Sequence, residues 1–145
     1  MADGSYRILV TGSRDWKDFA RVSFELGLAI GESGHCLEDI VIVHGGCPTG
    51  ADAMATRIAS DYRYRTEPHP ADWSAPCRPA CQPGHRRQQD DGTTTCPAAG
   101  PYRNAEMVRL GANVCLAFIR NGSRGASGTA YLAADVGIPV RRFHA

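Results

Sequence analysis

Apolar residues in this chain fall into short continuous runs, separated by stretches in which they recur every three or four positions. Tyr6-Arg7-Ile8-Leu9-Val10-Thr11, Ile40-Val41-Ile42-Val43 and the run 114–119 are short and β-rich, the pattern of strands buried on both faces. Between the first two, Phe19, Val22, Leu26 and Ile30 share one face of a helix expected over residues 18–30, with Asp18 as N-cap or first-turn acid. Further helices are expected over 51–62, over 101–110 with Pro101 in its first turn, and over 128–136. A less apolar strand covers 64–68 and a last one 139–143. Strand and helix alternate, which predicts an α/β, Rossmann-like, doubly wound parallel sheet of about five strands with right-handed crossovers, in the order 3-2-1-4-5.

The alternation breaks after the third strand. From about residue 70 to 99 the chain turns to Pro, Cys, Arg, Gln, Asp and Thr, which cannot build a core alone. Within it stand Cys77, Cys81, His85 and Cys96, a Cys3His set that matches a closed tetrahedral zinc site, on a loop whose prolines exclude a regular helix. Metal binding would order a loop too long to order itself. The spacing departs from paired Cys-x-x-Cys, so a chance cluster of thiols, or a Cys77–Cys81 disulfide in oxidised protein, stands beside the structural-zinc reading. One domain over residues 1–145 with a zinc-stabilised insertion is expected.

At 145 residues the chain can bury a core without disulfides. Its net charge of +1 comes without a basic block, which leaves no broad footprint for nucleic acid or an anionic membrane. No apolar run approaches the roughly 20 residues of a spanning helix and no signal peptide stands at the start, so a cytoplasmic protein with reduced thiols is expected. Cys115 reads as a strand core residue and Cys36 as a bystander. Cys47 sits in a glycine-rich loop without an evident partner base.

In open parallel sheets ligands bind beyond the carboxyl ends of the strands, where strand order reverses. Three loops converge there: Gly12, Ser13 and Arg14 after the first strand; His44, Gly45, Gly46 and Gly50 after the second; and a Ser/Gly-rich loop ending Ser127-Gly128-Thr129. Glycines let phosphate approach the backbone and helix N-termini favour anions. Each glycine could equally serve only its turn. No Gly-x-x-x-x-Gly-Lys-Ser/Thr and no Gly-x-Gly-x-x-Gly occurs, so the loops indicate an anion without naming it. Arg14 and Arg103 are candidate bidentate forks or surface arginines, and Asp52 complements a helix dipole or binds a ribose hydroxyl. Trp73 and His69 are expected at the ligand edge, Trp73 stacking on a base or filling the core. His44 and His69 are acid–base candidates by residue type and position alone.

The motifs Ile8-Leu9-Val10-Thr11-Gly12-Ser13-Arg14-Asp15-Trp16, His44-Gly45-Gly46-Cys47-Pro48-Thr49-Gly50-Ala51-Asp52 and Gly100-Pro101-Tyr102-Arg103-Asn104-Ala105-Glu106-Met107 together resemble the YspA-like branch of the SLOG superfamily, known from bacteria and phages. The resemblance implies a Rossmann-like domain that binds a nucleotide or a nucleotide-derived, ADP-ribose-like ligand at a site including Arg103 and Asn104, with homodimerisation as a family-level expectation. It is similar also to the cytokinin-activating phosphoribohydrolases, whose catalytic arginine falls on Arg103. Their glutamate falls on Leu132, which can neither stabilise an oxocarbenium ion nor move a proton. The resemblance therefore favours a sensor or binding module, with an N-glycosidic hydrolase of nucleoside monophosphates as the alternative. A DNA-processing branch of the same fold, with Arg78, Arg86 and Arg87 in the insertion, makes DNA binding a third reading.

Overall fold

The structure, a computed structural model, describes residues 4–145. The elements run β1 (Tyr6–Gly12), α1 (Phe19–Ser33), β2 (Ile40–His44), α2 (Gly50–Tyr62), β3 (Arg65–Pro68), β4 (Arg87–Gln88), β5 (Thr94–Thr95), α3 (Ala99–Leu110), β6 (Val114–Ile119), α4 (Arg124–Asp135) and β7 (Val140–His144), with a short 3-10 turn at Leu37–Asp39 before β2. The main sheet is β3-β2-β1-β6-β7, and all four pairings are parallel. This is the expected 3-2-1-4-5 order once the small β4–β5 hairpin is set apart.

Position in the sheet follows from apolarity. Every residue of β2 and β6 is buried, whereas the edge strands β3 and β7 carry Arg65, Glu67, Arg141 and Arg142 and stay partly exposed. Strand side chains alternate between the faces. Ile8, Val10, Ile40, Ile42, Leu116 and Phe118 meet Val22, Leu26, Ala55 and Ile58 of α1 and α2. Leu9, Val41, Val43 and Cys115 meet Met107 and Val108 of α3 and Ala133 of α4. Phe118, fully buried, stacks on Phe143 at 5.0 Å and meets Trp16 edge-on at 5.4 Å.

Helix ends follow local chemistry. Asp18 caps α1, its Oδ1 accepting from Arg21 N–H at 3.0 Å, and Gly34 ends the helix at φ 69°. One boundary corrects the sequence reading: α4 begins at Arg124, not 128. Asn121 and Gly122 take φ of 52° and 63°, turning the chain so that Ser123 becomes the N-cap. Ser127, Gly128 and Thr129 therefore lie inside the helix rather than in the loop before it. The insertion contains the β4–β5 hairpin, whose turn is closed by Asp91 Oδ1 accepting from Thr93 N–H at 3.0 Å and from its hydroxyl at 2.6 Å.

Candidate functional site

Two glycines bring the start of α2 against the loop after β1. A Cβ on Gly12 would lie 2.3 Å from Ala51 Cβ, and one on Gly50, at φ +72°, would lie 2.2 Å from the Ser13 carbonyl oxygen. Only glycine fits either place. Ser13 serves the scaffold as well: its N–H donates to Phe118 O at 2.9 Å and its Oγ accepts from Arg120 N–H at 2.8 Å, tying β1 to β6.

The loop after β2 is held from three sides. Asp52 Oδ2 accepts from Gly45 N–H at 3.1 Å and Cys47 N–H at 3.3 Å. The Gly45 carbonyl accepts from Arg103 Nη1, which also donates to His69 O at 3.1 Å, while Arg103 Nε donates to Asn104 Oδ1 at 2.7 Å. His44 is buried beneath, its Nδ1 accepting from Gly46 N–H at 3.0 Å. That bond requires Nδ1 to be unprotonated, which leaves Nε2 as the donor towards Thr56 Oγ1 at 3.2 Å; the Thr56 hydroxyl donates onward to Asp52 O at 3.0 Å. Burial lowers the His44 pKa, consistent with this neutral ring, and burial raises that of Asp52 against the pull of the Cys47 N–H. Burial and the neighbouring Asp52 also push the Cys47 thiol up, which favours the protonated form.

Above this loop opens a cavity of about 460 Å3, lined by Gly12, Arg14, Gly45, Asp52, Trp73 and Arg103 among others. First turns of three helices reach it: Asp52 of α2, Gly100 and Pro101 of α3, and Gly125 and Ala126 of α4 beside Ser123. None of these helices is capped by the side chain of its N-cap residue, Thr49, Ala98 or Ser123, in contrast to α1. Their first turns put partial positive charge beside the cavity, although in α3 the Ala99 N–H is taken by Cys96 O and Pro101 has none. Trp73 stands on its wall with the Arg14 guanidinium 5.3 Å from the ring centroid.

Of the residues expected at the ligand edge, Gly12, Arg14, Gly45, Asp52, Arg103 and Asn104 line the cavity. Ser13, Gly46 and Gly50 do not line it: Gly50 packs on Ser13 O, and Gly46 donates its N–H to His44. Three placements differ from expectation. Ser127, Gly128 and Thr129 are absent from the wall, and Thr129 donates its hydroxyl back to Gly125 O at 2.9 Å. The His44 ring is consumed by Gly46 and Thr56. His69 is absent from this cavity and lines a neighbouring one of about 520 Å3 with Arg103; its Nε2 pairs with Glu67 Oε2 at 2.7 Å, and Glu67 is in turn gripped by Arg7 at 2.7 and 2.8 Å. The Arg7 hydrogen bonds hold the Glu67 carboxyl down at about 2. Sequence reasoning missed Ser123, Gly125 and Ala126. The Asn121-Gly122-Ser123 turn-and-cap pattern was the signal that could have found them.

The four insertion residues do come together. One potential ligand atom each from Cys77, Cys81, His85 and Cys96 lies within 4.8 Å of the others, an arrangement able to hold a metal ion. Cys77 Sγ stands 3.1 Å and Cys96 Sγ 3.4 Å from His85 Nε2, and Cys81 Sγ stands 3.8 Å from Cys96 Sγ. Three sulfurs and an imidazole are the donor set of closed, soft-metal sites. Arg86 braces the cluster, donating to Ala75 O at 2.9 Å and Thr94 O at 3.0 Å with Cys77 Sγ at 3.5 Å, so this arginine works inside the insertion. Cys115, buried in β6, has its thiol pushed up to about 12 by burial, as befits a core residue. Among the described residues no helix is long and apolar enough to cross a membrane.

A family model described as the YspA, cpYpsA-related SLOG family matches residues 6–75. The "Gene 61 protein" of Mycobacterium phage D29 is 37% identical over 142 residues, spanning 94% of this chain and 95% of its own. Among solved structures, the Moco carrier protein from Chlamydomonas reinhardtii superposes with a TM-score of 0.58 at 18% identity, covering 97% of this chain and 78% of that one, a likeness of fold.

Proposed function

The chain belongs to the YspA, cpYpsA-related SLOG family, and from that premise we propose that it is a sensor or binding module for a nucleotide or a nucleotide-derived, ADP-ribose-like ligand, with zinc in the Cys/His cluster. One observation carries the reading: three helix N-termini without side-chain caps meet at one cavity of about 460 Å3 at the carboxyl edge of the sheet. Such N-termini suit phosphate. Trp73 offers a stacking face for a base, worth about 1–3 kcal/mol in comparable contacts, and Arg14 a cation beside it. Asp52 serves as the clamp of the Gly45 loop, and Arg103 as the strut beneath it.

Hydrolysis at the same site has less support. Leu132 stands on the outward side of α4 at 37% exposure, Asp52 Oδ2 is spent on two backbone N–H groups, and Arg103 is held by two carbonyls. DNA binding rests on a small set of arginines, of which Arg86 is engaged internally and Arg78 lies on the Tyr102 ring at 4.0 Å. A carrier among the structural neighbours is in keeping with a binding role. The test is thermal unfolding of zinc-loaded protein with AMP, ADP and ADP-ribose. A ligand at a hundredfold its Kd stabilises by about 2.7 kcal/mol, and that shift is expected to vanish in Arg14→Ala. No shift with any of the three overturns the reading; release of free base from AMP, lost in Arg103→Ala, would move it to hydrolysis.

A further inference from the structure

We infer that the Cys/His cluster sets the aromatic wall of the cavity: a metal ion held there fixes Trp73 and the first turn of α3, so that metal and nucleotide bind with positive linkage. The nucleotide half of this statement rests on the function proposed above; the wall half stands on geometry alone.

The connections are short. Cys96, a ligand, donates its N–H to the Trp73 carbonyl at 2.8 Å, and its own carbonyl accepts from Ala99 N–H at 3.1 Å, the first residue of α3. One residue on, Gly100 abuts the Trp73 ring so closely that a Cβ there would lie 2.9 Å from Cη2. Cys81 Sγ stands 3.5 Å from the Tyr102 hydroxyl, also on α3. Arg86, next to the ligand His85, grips Ala75 O, two residues beyond Trp73. The cavity residues contributed by α3 (Gly100, Pro101, Arg103, Asn104 and Met107) thus stand on the helix that begins three residues after Cys96.

What would otherwise hold this wall is slight. Between His69 and Ala98 the one buried residue is Cys96 itself, and Trp73 lies outside regular secondary structure. A loop without a core of its own takes its order from the ion. An ion that orders the wall raises nucleotide affinity, and by linkage a bound nucleotide raises metal affinity by the same factor.

The experiment uses intrinsic fluorescence, with AMP as the nucleotide. The chain has two tryptophans, and Trp16 is 3% exposed in the core. Removing zinc with a chelator, verified by metal analysis, is expected to expose wild-type fluorescence to acrylamide quenching but not that of Trp73→Phe, while far-UV circular dichroism keeps its α/β signal. AMP affinity should fall about tenfold and return with added zinc. Unchanged quenching and unchanged AMP affinity in metal-free protein overturn the inference. If AMP binds in neither state, the nucleotide reading fails, and the quenching result alone decides whether the cluster holds the wall. Should chelation unfold the whole chain, the conservative ligand variant Cys77→Ser decides: weakened zinc binding with Trp73 more quenchable and AMP weaker supports the inference, whereas weakened zinc binding with quenching and AMP affinity unchanged overturns it.

Discussion

The sheet-and-helix body and the insertion at residues 69–98 obey different rules. The body is held by apolar surface on two sides of one sheet, with Ile8, Leu9, Val10, Ile42, Leu116 and Phe118 fully buried. The insertion buries Cys96 and otherwise relies on a two-residue hairpin, an Asx-type turn, the Arg86 fork and four convergent side chains. Hydrophobic burial is non-directional and tolerates distributed change, whereas ligand donors and hydrogen bonds are few and each matters. The cavity lies where the two regimes meet, Trp73 of the insertion standing against walls supplied by the body.

That contrast can be broken from either side. The largest effect is expected from Phe118→Ala, which removes the ring between Trp16 and Phe143 and should cost about 4 kcal/mol in chemical denaturation while leaving metal content unaltered. Gly50→Ala should cost about 3 kcal/mol by the same measurement, since the residue is left-handed and its Cβ would overlap Ser13 O. Chelation should act on the other regime. Loss of a metal present at a hundredfold its Kd withdraws about 2.7 kcal/mol, and trypsin is then expected to cut after Arg86 and Arg87 while the body resists, the Arg78–Pro79 bond being refractory to it. Cleavage in the body first would show that the two regions are not separable.

The smallest effect sharpens the boundary at β3. Glu67 is held at about 2, below its ordinary 4.5, by Arg7. A lowered carboxylate contributes stability that is complete above about pH 4.5 and is lost as pH falls towards 2. Because Glu67 is 36% exposed, screening leaves about 1 kcal/mol. Glu67→Gln should flatten that acid limb in pH-dependent unfolding; an unchanged limb would mean the pair does not stabilise the edge.

The body was legible because its strands are continuous apolar runs and its helices periodic, so strand order and most boundaries follow from pattern. The α4 start was not, since Ala126 and Ala130 carry little hydrophobic signal and the turn at Asn121-Gly122 outweighs them. The four metal-site residues were readable from residue type alone. Side-chain direction was not: Glu67 captures His69 across two positions of an edge strand, and Gly46 and Thr56 take both nitrogens of His44, pairings that no local periodicity encodes.

The bond between Trp73 O and Cys96 N–H has one more consequence. It places the two ends of the cysteine-bearing segment side by side, so the segment leaves and rejoins the body at a single doorway. Closing such a doorway with a short turn costs little loop entropy. The segment is therefore an exchangeable cassette: lengthened, shortened or replaced, it leaves the register of the five strands untouched, and variation can remodel one side of the cavity without renegotiating the fold.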